Sequence, residues 1–133
     1  MRFMIIRKAD AETEAGAVPG EELIAAMARY NQELADAGVL VGGDGLQPSA
    51  KGARIRFTDG KPTITDGPFT EAKELIAGFA LVQLPSKDAA IDLAEQFLRI
   101  AGQGSAEVRE AFEPKGEPVE AGAVQAVGST VMA

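Results

Sequence analysis

The chain reads as an α+β protein in which strand, helix and strand are followed by an inserted hairpin and then by strand, helix and strand. Three observations carry this reading. Short apolar runs rich in strand-formers stand at 2–7 and 75–84, two segments show apolar residues at helical spacing, and Asp59-Gly60 sits between alternating runs as a tight-turn signal. With 133 residues, 46% of them hydrophobic, the chain fits one compact domain better than two.

The first run, 2–7, is too short for a helix and is read as the first strand. Residues 8–20 are polar and small, and no element is expected there. From 20 to 37, Leu23, Met27, Tyr30 and Leu34 recur along one helical stripe until Gly38, a residue suited to the left-handed position that ends helices. A second strand is expected near 39–46, dissolving into glycines and broken at Pro48. The runs 54–58 and 62–65 flank Asp59-Gly60-Lys61 and read as a β-hairpin, with Pro62 limiting its pairing.

The run 75–84 is apolar at both parities, which predicts a strand covered on both faces. Ser86 is the expected N-cap of a helix over 86–101 whose Ile91, Ala94 and Leu98, with Phe97 beside them, face inward, and Gly102 stops it. A more polar last strand is read at 105–112. Without the hairpin this order is the split β-α-β of a ferredoxin-like fold, βαββαβ, with both helices on one sheet face. The other face also carries apolar residues, so a homodimer with sheets packed back to back is expected. Residues 113–133 form an extension rich in Gly, Pro, Ala and Glu, whose spaced Val119, Val124, Val127 and Val131 offer docking points on the dimer.

Composition narrows the function. Thirteen basic residues against twenty acidic ones give a formal charge of −7, which opposes binding to nucleic acid or to an anionic membrane. There is no cysteine for a disulfide or thiol nucleophile and no histidine for an imidazole base or a usual zinc site, so no metal or cofactor is expected. The N-terminal apolar run is far shorter than a secretory or membrane segment, and a cytoplasmic protein is the expectation.

Several residues qualify for a site. Gly42-Gly43-Asp44-Gly45 resembles a phosphate cradle, but the third glycine of a dinucleotide fingerprint would fall on Pro48; a structural bend, able to floor a pocket, is the stronger reading. Asp66-Gly67-Pro68-Phe69 supports two readings: a rigid turn in which Asp66 caps backbone and Phe69 plugs the core, or a turn that aims the Asp66 carboxylate into a cleft walled by Phe69. If 73–79 is already extended, Lys73 and Glu74 stand on the lip of a buried strand, where charges pair or line a cavity. Without histidine, a base drawn from Asp66 or Glu74 with Lys73 as charge stabiliser is the natural acid–base set. Arg54 and Arg56 share one hairpin face and offer anchors for an anionic ligand, with Arg7 a third candidate. Tyr30 is first a core residue whose hydroxyl can reach a pocket edge.

The stretches 38–48 and 64–82, with Asp66-Gly67-Pro68-Phe69 followed by Glu71, Lys73 and Glu74, resemble the DGPF branch of the YCII-related proteins over about residues 2–112. The resemblance implies a ferredoxin-like domain in a dimer of the dimeric α/β-barrel type. It also implies small-molecule chemistry, since related proteins are proposed to use a His–Asp pair and one branch carries out a dehydrochlorination-type elimination. This chain departs from that pattern, because the position of that histidine falls on or near Met27. The expectation is therefore a small-molecule-binding protein, lyase-like or isomerase-like if it is an enzyme. It would use Asp66, Lys73 and Glu74 for catalysis, and Gly43, Arg54, Arg56, Phe69 and Tyr30 for binding. The alternative, which the family's association with alternative sigma factors implies, is a non-catalytic regulatory module.

Overall fold

The computed structural model describes residues 1–70 and 74–113. Its elements are β1 (Arg2–Lys8), α1 (Ala11–Glu14), α2 (Glu21–Asp36), β2 (Leu40–Gly45), a 3-10 turn (Ser49–Lys51), β3 (Ala53–Thr58), β4 (Lys61–Asp66), β5 (Ile76–Gln83), α3 (Lys87–Ala101) and β6 (Ala106–Glu110). β2, β5, β1 and β6 form one antiparallel sheet in that order, and β3 pairs with β4 alone. This is the ferredoxin-like arrangement with a hairpin inserted between its second and third sheet strands.

The register places residues in rows across the sheet. Phe3, Val82 and Leu40 stand side by side, then Ile5, Ala80 and Gly43, then Arg7, Gly78 and Gly45. Alternation puts all three rows on the face that the helices cover. Phe3, Ile5 and Val82 are buried there against Ala90 and Ala94 of α3. Full burial of a side chain such as Phe3 or Val82 contributes about 1.5–3 kcal/mol.

α3 begins as expected, with the Ser86 hydroxyl accepting from the Ala89 N–H at 3.1 Å, and ends at Gly102 with φ 85°. Its inward stripe holds the expected Ala94, Phe97 and half-buried Leu98 and departs from expectation at Ile91. Ile91 is exposed, while Ala90, Leu93, Ala94 and Phe97 face inward. The two alanines, one turn apart, pack in one buried cluster with Phe3 and Val82 of the sheet.

Two short elements fall where none was expected. α1 is opened by Asp10, whose carboxylate accepts from the Thr13 N–H while the Thr13 hydroxyl accepts from the Asp10 N–H. The 3-10 turn at Ser49–Lys51 follows Pro48. β5 also starts later than the extended 73–79 reading requires: Glu74 lies in a helical turn, Leu75 is buried, and the strand begins at Ile76. Glu74 therefore does not share a strand face with Ile76. Lys73 lies outside the described residues, as does most of the C-terminal extension with its four valines.

The hairpin has a two-residue loop, Asp59 and Gly60, both at positive φ, which suits the twist of its strands. Every residue of β3 and β4 is exposed. One face carries Ile55, Phe57, Pro62 and Ile64, and the other Arg54, Arg56, Thr63 and Thr65.

Candidate functional site

A crevice of about 450 Å³ lies between the sheet and the two long helices. Its floor is β2 and the first half of β5. Beyond Leu40, the helix-facing side of that floor carries glycine or alanine at Gly43, Gly45, Gly78 and Ala80, so no large side chain rises from that stretch. Gly43 is required for the pairing itself, because at φ 151° a Cβ there would overlap the Phe79 carbonyl oxygen and crowd Ala80. The strands thus approach closely at the bulge between Leu40 and Gly42, and the smallness of the floor follows from that approach.

The roof comes from Tyr30, Asn31, Leu34 and Ala35 of α2 and from Leu93 and Phe97 of α3. α2 buries no residue completely; its stripe of Leu23, Met27, Tyr30 and Leu34 is half-buried, because the space beneath part of it is the crevice. The Tyr30 hydroxyl donates to the Leu93 carbonyl oxygen at 3.2 Å and ties the two helices together. Burial first, and the nearby Glu33 charge second, raise the Tyr30 pKa above its ordinary 10.0.

Arg7 closes the end of the crevice on the sheet side. Its Nε is buried and donates to nothing, and its guanidinium takes part in no hydrogen bond or ion pair among the described residues. Gly104 at φ 117° lies against it: a Cβ there would stand 3.5 Å from both Nε and Nη2. Asp10 is near enough for the Arg7 charge to be one of the influences lowering its pKa, after the stronger hydrogen bond from the Thr13 N–H.

The Asp-Gly-Pro-Phe turn forms a second cluster. Ser49 is its centre: the Ser49 N–H and hydroxyl donate to the two oxygens of Glu14, at 3.0 and 2.5 Å, and the hydroxyl accepts from the Phe69 N–H at 3.1 Å. The Gly67 N–H donates to the Gly52 carbonyl oxygen at 3.0 Å, and a Cβ on Gly67 would overlap the Ser49 carbonyl oxygen. Only glycine fits that position. The Arg54 guanidinium stacks 4.3 Å from the centre of the Phe69 ring and approaches Glu74 at 3.8 Å.

Of the residues expected to serve a site, Tyr30 and Gly43 line the crevice. Arg54, Phe69 and Glu74 gather instead at the hairpin base, while Asp66 is exposed at the end of β4 and Arg56 is exposed on the hairpin. The backbone capping expected of the Asp66 side chain is supplied by Ser49 and Glu14. Among the described residues no group of three His, Cys, Asp or Glu is placed to hold a metal ion, and no helix is long and apolar enough to cross a membrane. Glu14 and Ser49 escaped sequence reasoning because 35 residues separate them.

A family model of the YCII-related domain matches residues 1–115. An uncharacterized protein of Rhizobium meliloti (strain 1021) is 32% identical over 90 residues, which is 67% of this chain and 73% of that one. Among solved structures, 5-chloro-2-hydroxyhydroquinone dehydrochlorinase (TftG) from Burkholderia phenoliruptrix AC1100, in complex with 2,5-dihydroxybenzoquinone, aligns with a TM-score of 0.51 at 19% identity, over 86% of this chain and 97% of that chain. At that identity the likeness is one of fold.

Proposed function

The chain belongs to the YCII-related family, and from that premise we propose that it binds a small organic molecule in the crevice between α2, α3 and the sheet. The observation that carries this reading is the crevice itself: about 450 Å³, walled mostly by apolar side chains, with few polar groups at its edges. The fold neighbour is a dehydrochlorinase of a small chlorinated ring and holds 2,5-dihydroxybenzoquinone. A ring of that size suits this cavity. A lyase-like or isomerase-like reaction is the catalytic form of the reading. Asp66 and Glu74 are exposed at the hairpin base, so for them the reading needs the hairpin base to close toward the ligand.

Placement in the DGPF branch rests on Asp66-Gly67-Pro68-Phe69 with Glu71, Lys73 and Glu74. The homodimer rests on the sheet face opposite the helices, where Met4, Ile6, Phe79 and Leu81 stand together and are half-buried. A chain extension, 113–133, following the domain at 1–112 is retained in this reading.

A regulatory reading draws on a different feature. Ile55, Phe57 and Ile64 present one apolar hairpin face at 67%, 72% and 66% exposure, a surface of the kind that meets a protein partner. Binding of a purified alternative sigma factor, lost in Phe57→Ser, is the outcome that reading requires.

The crevice reading is tested by thermal shift against a broad metabolite set, using wild type and Ala35→Trp, which fills the crevice from α2. Hits that raise the melting temperature of wild type and not of the variant, at equal starting stability, place the ligand. A wild type that responds to nothing overturns the reading.

A further inference from the structure

We propose that the crevice selects small monocarboxylates, with Arg7 as the anchor for the carboxylate and the apolar roof holding a ring-sized body. The proposal rests on the crevice being the ligand site and adds the chemical class of the ligand. It starts from an imbalance. Arg7 is half-buried, its Nε is fully buried, and neither a carboxylate nor a carbonyl receives its donors among the described residues. A guanidinium carries its donors in a rigid fork, and leaving the buried Nε–H unmet is unfavourable.

The candidate internal partners are otherwise engaged. Asp10 feels the Arg7 charge but is not at ion-pair distance, and its Oδ1 is held by the Thr13 N–H as the cap of α1. Asp44 also borders the crevice, yet strand alternation between Gly43 and Gly45 sets its side chain on the opposite sheet face, in the row of Ile6 and Phe79. Tyr30 has its hydroxyl on the Leu93 carbonyl oxygen and its pKa raised, so it adds no negative charge at neutral pH. Arg7 is thus the one charged side chain directed to the helix side among the described lining residues.

The surroundings of the guanidinium fit a ligand head group. Its neighbours in the row are Gly78 and, beyond it, Gly45 on one side and Ala106 on the other, all of them small, and Gly104 supports it from behind. Beyond lie Leu34, Leu93 and Phe97, which suit an apolar body and not a second polar head. One cation in a chain of net charge −7 matches a single negative charge better than the double charge of a phosphate group.

The test uses full-length protein and four probes: benzoate, benzamide, cyclohexanecarboxylate and inorganic phosphate. Nitrogen-edited NMR follows the Arg7 Hε–Nε signal together with the amides of Gly43, Gly45 and Gly78. Both carboxylates are expected to shift all four signals, benzamide to bind at least tenfold more weakly, and phosphate to leave the crevice amides unmoved. In Arg7→Met the benzoate affinity should fall about tenfold or more while benzamide changes less than twofold; Arg7→Lys should recover part of the loss. If Arg7→Met does not fold, the benzoate–benzamide comparison and the Hε–Nε signal in wild type decide alone. Equal binding of benzoate and benzamide overturns the carboxylate proposal and leaves the crevice reading standing. Binding of phosphate with the same shifts overturns the monocarboxylate choice. No shift of the crevice amides with any probe overturns the proposal, and if the metabolite screen is also silent the crevice reading falls with it.

Discussion

Ser49 and Glu14 meet at two points, the Ser49 N–H and hydroxyl each donating to one oxygen of the same carboxylate, at 3.0 and 2.5 Å. The Ser49 hydroxyl then receives the Phe69 N–H, so α1 and the Asp-Gly-Pro-Phe turn are held through one side chain. Replacing Ser49 by Ala leaves the Phe69 N–H and one Glu14 oxygen without partners. The expected loss is about 1–3 kcal/mol, read as a lowered urea midpoint with an unchanged slope.

The two glycines of this region differ in what they tolerate. In Gly67→Ala the new methyl group collides with the Ser49 backbone, and a loss of about 3 kcal/mol or more is expected. Gly60→Ala meets open space at φ 75° and should cost only about 1–2 kcal/mol. Thermal unfolding of the two variants side by side checks the order.

Tyr30→Phe removes the bond to Leu93 and is expected to cost about 0.5–1.5 kcal/mol at neutral pH. The raised Tyr30 pKa fixes the sign at alkaline pH: the unfolded chain releases this proton first, from about its ordinary 10.0, so folding stability falls as pH rises beyond that value. The difference in unfolding free energy between wild type and Tyr30→Phe should therefore shrink between neutral pH and strongly alkaline pH.

Asp10 behaves in the opposite sense. Its carboxylate caps α1 and its pKa lies below the ordinary 3.8, chiefly through the Thr13 N–H, so the stability it adds is present above that value and is lost as pH falls through the folded pKa. Asp10→Ala should cost about 0.5–2 kcal/mol at neutral pH and much less in acid, measured by chemical denaturation across the acid range.

The strands and long helices were legible because their signals are local. Apolar runs mark β1 and β5, the Leu23–Leu34 spacing marks α2, and Ser86 with Gly102 brackets α3. α1 has no apolar period in its four residues; its one visible sign was Asp10 standing three residues before Thr13. The crevice was less legible, because its floor depends on which residues of β1, β2 and β5 fall in one row, and a bulge resets that count between Leu40 and Gly42. Gly43 and Tyr30 could be singled out from their own segments. That Arg7 would have no partner among the described residues depends on Gly78, Gly45 and Gly104, each contributed by a different part of the chain.

The order of strands also bears on how the chain is made. β1 is made before the other strands of its sheet, yet both of its neighbours, β5 at Ile76–Gln83 and β6 at Ala106–Glu110, are synthesised after the hairpin. Pairings so distant in sequence close large loops and are slow to form. The apolar β1 must therefore wait, unpaired, until β5 and β6 have been made, while the local β3–β4 hairpin is free to form as it emerges.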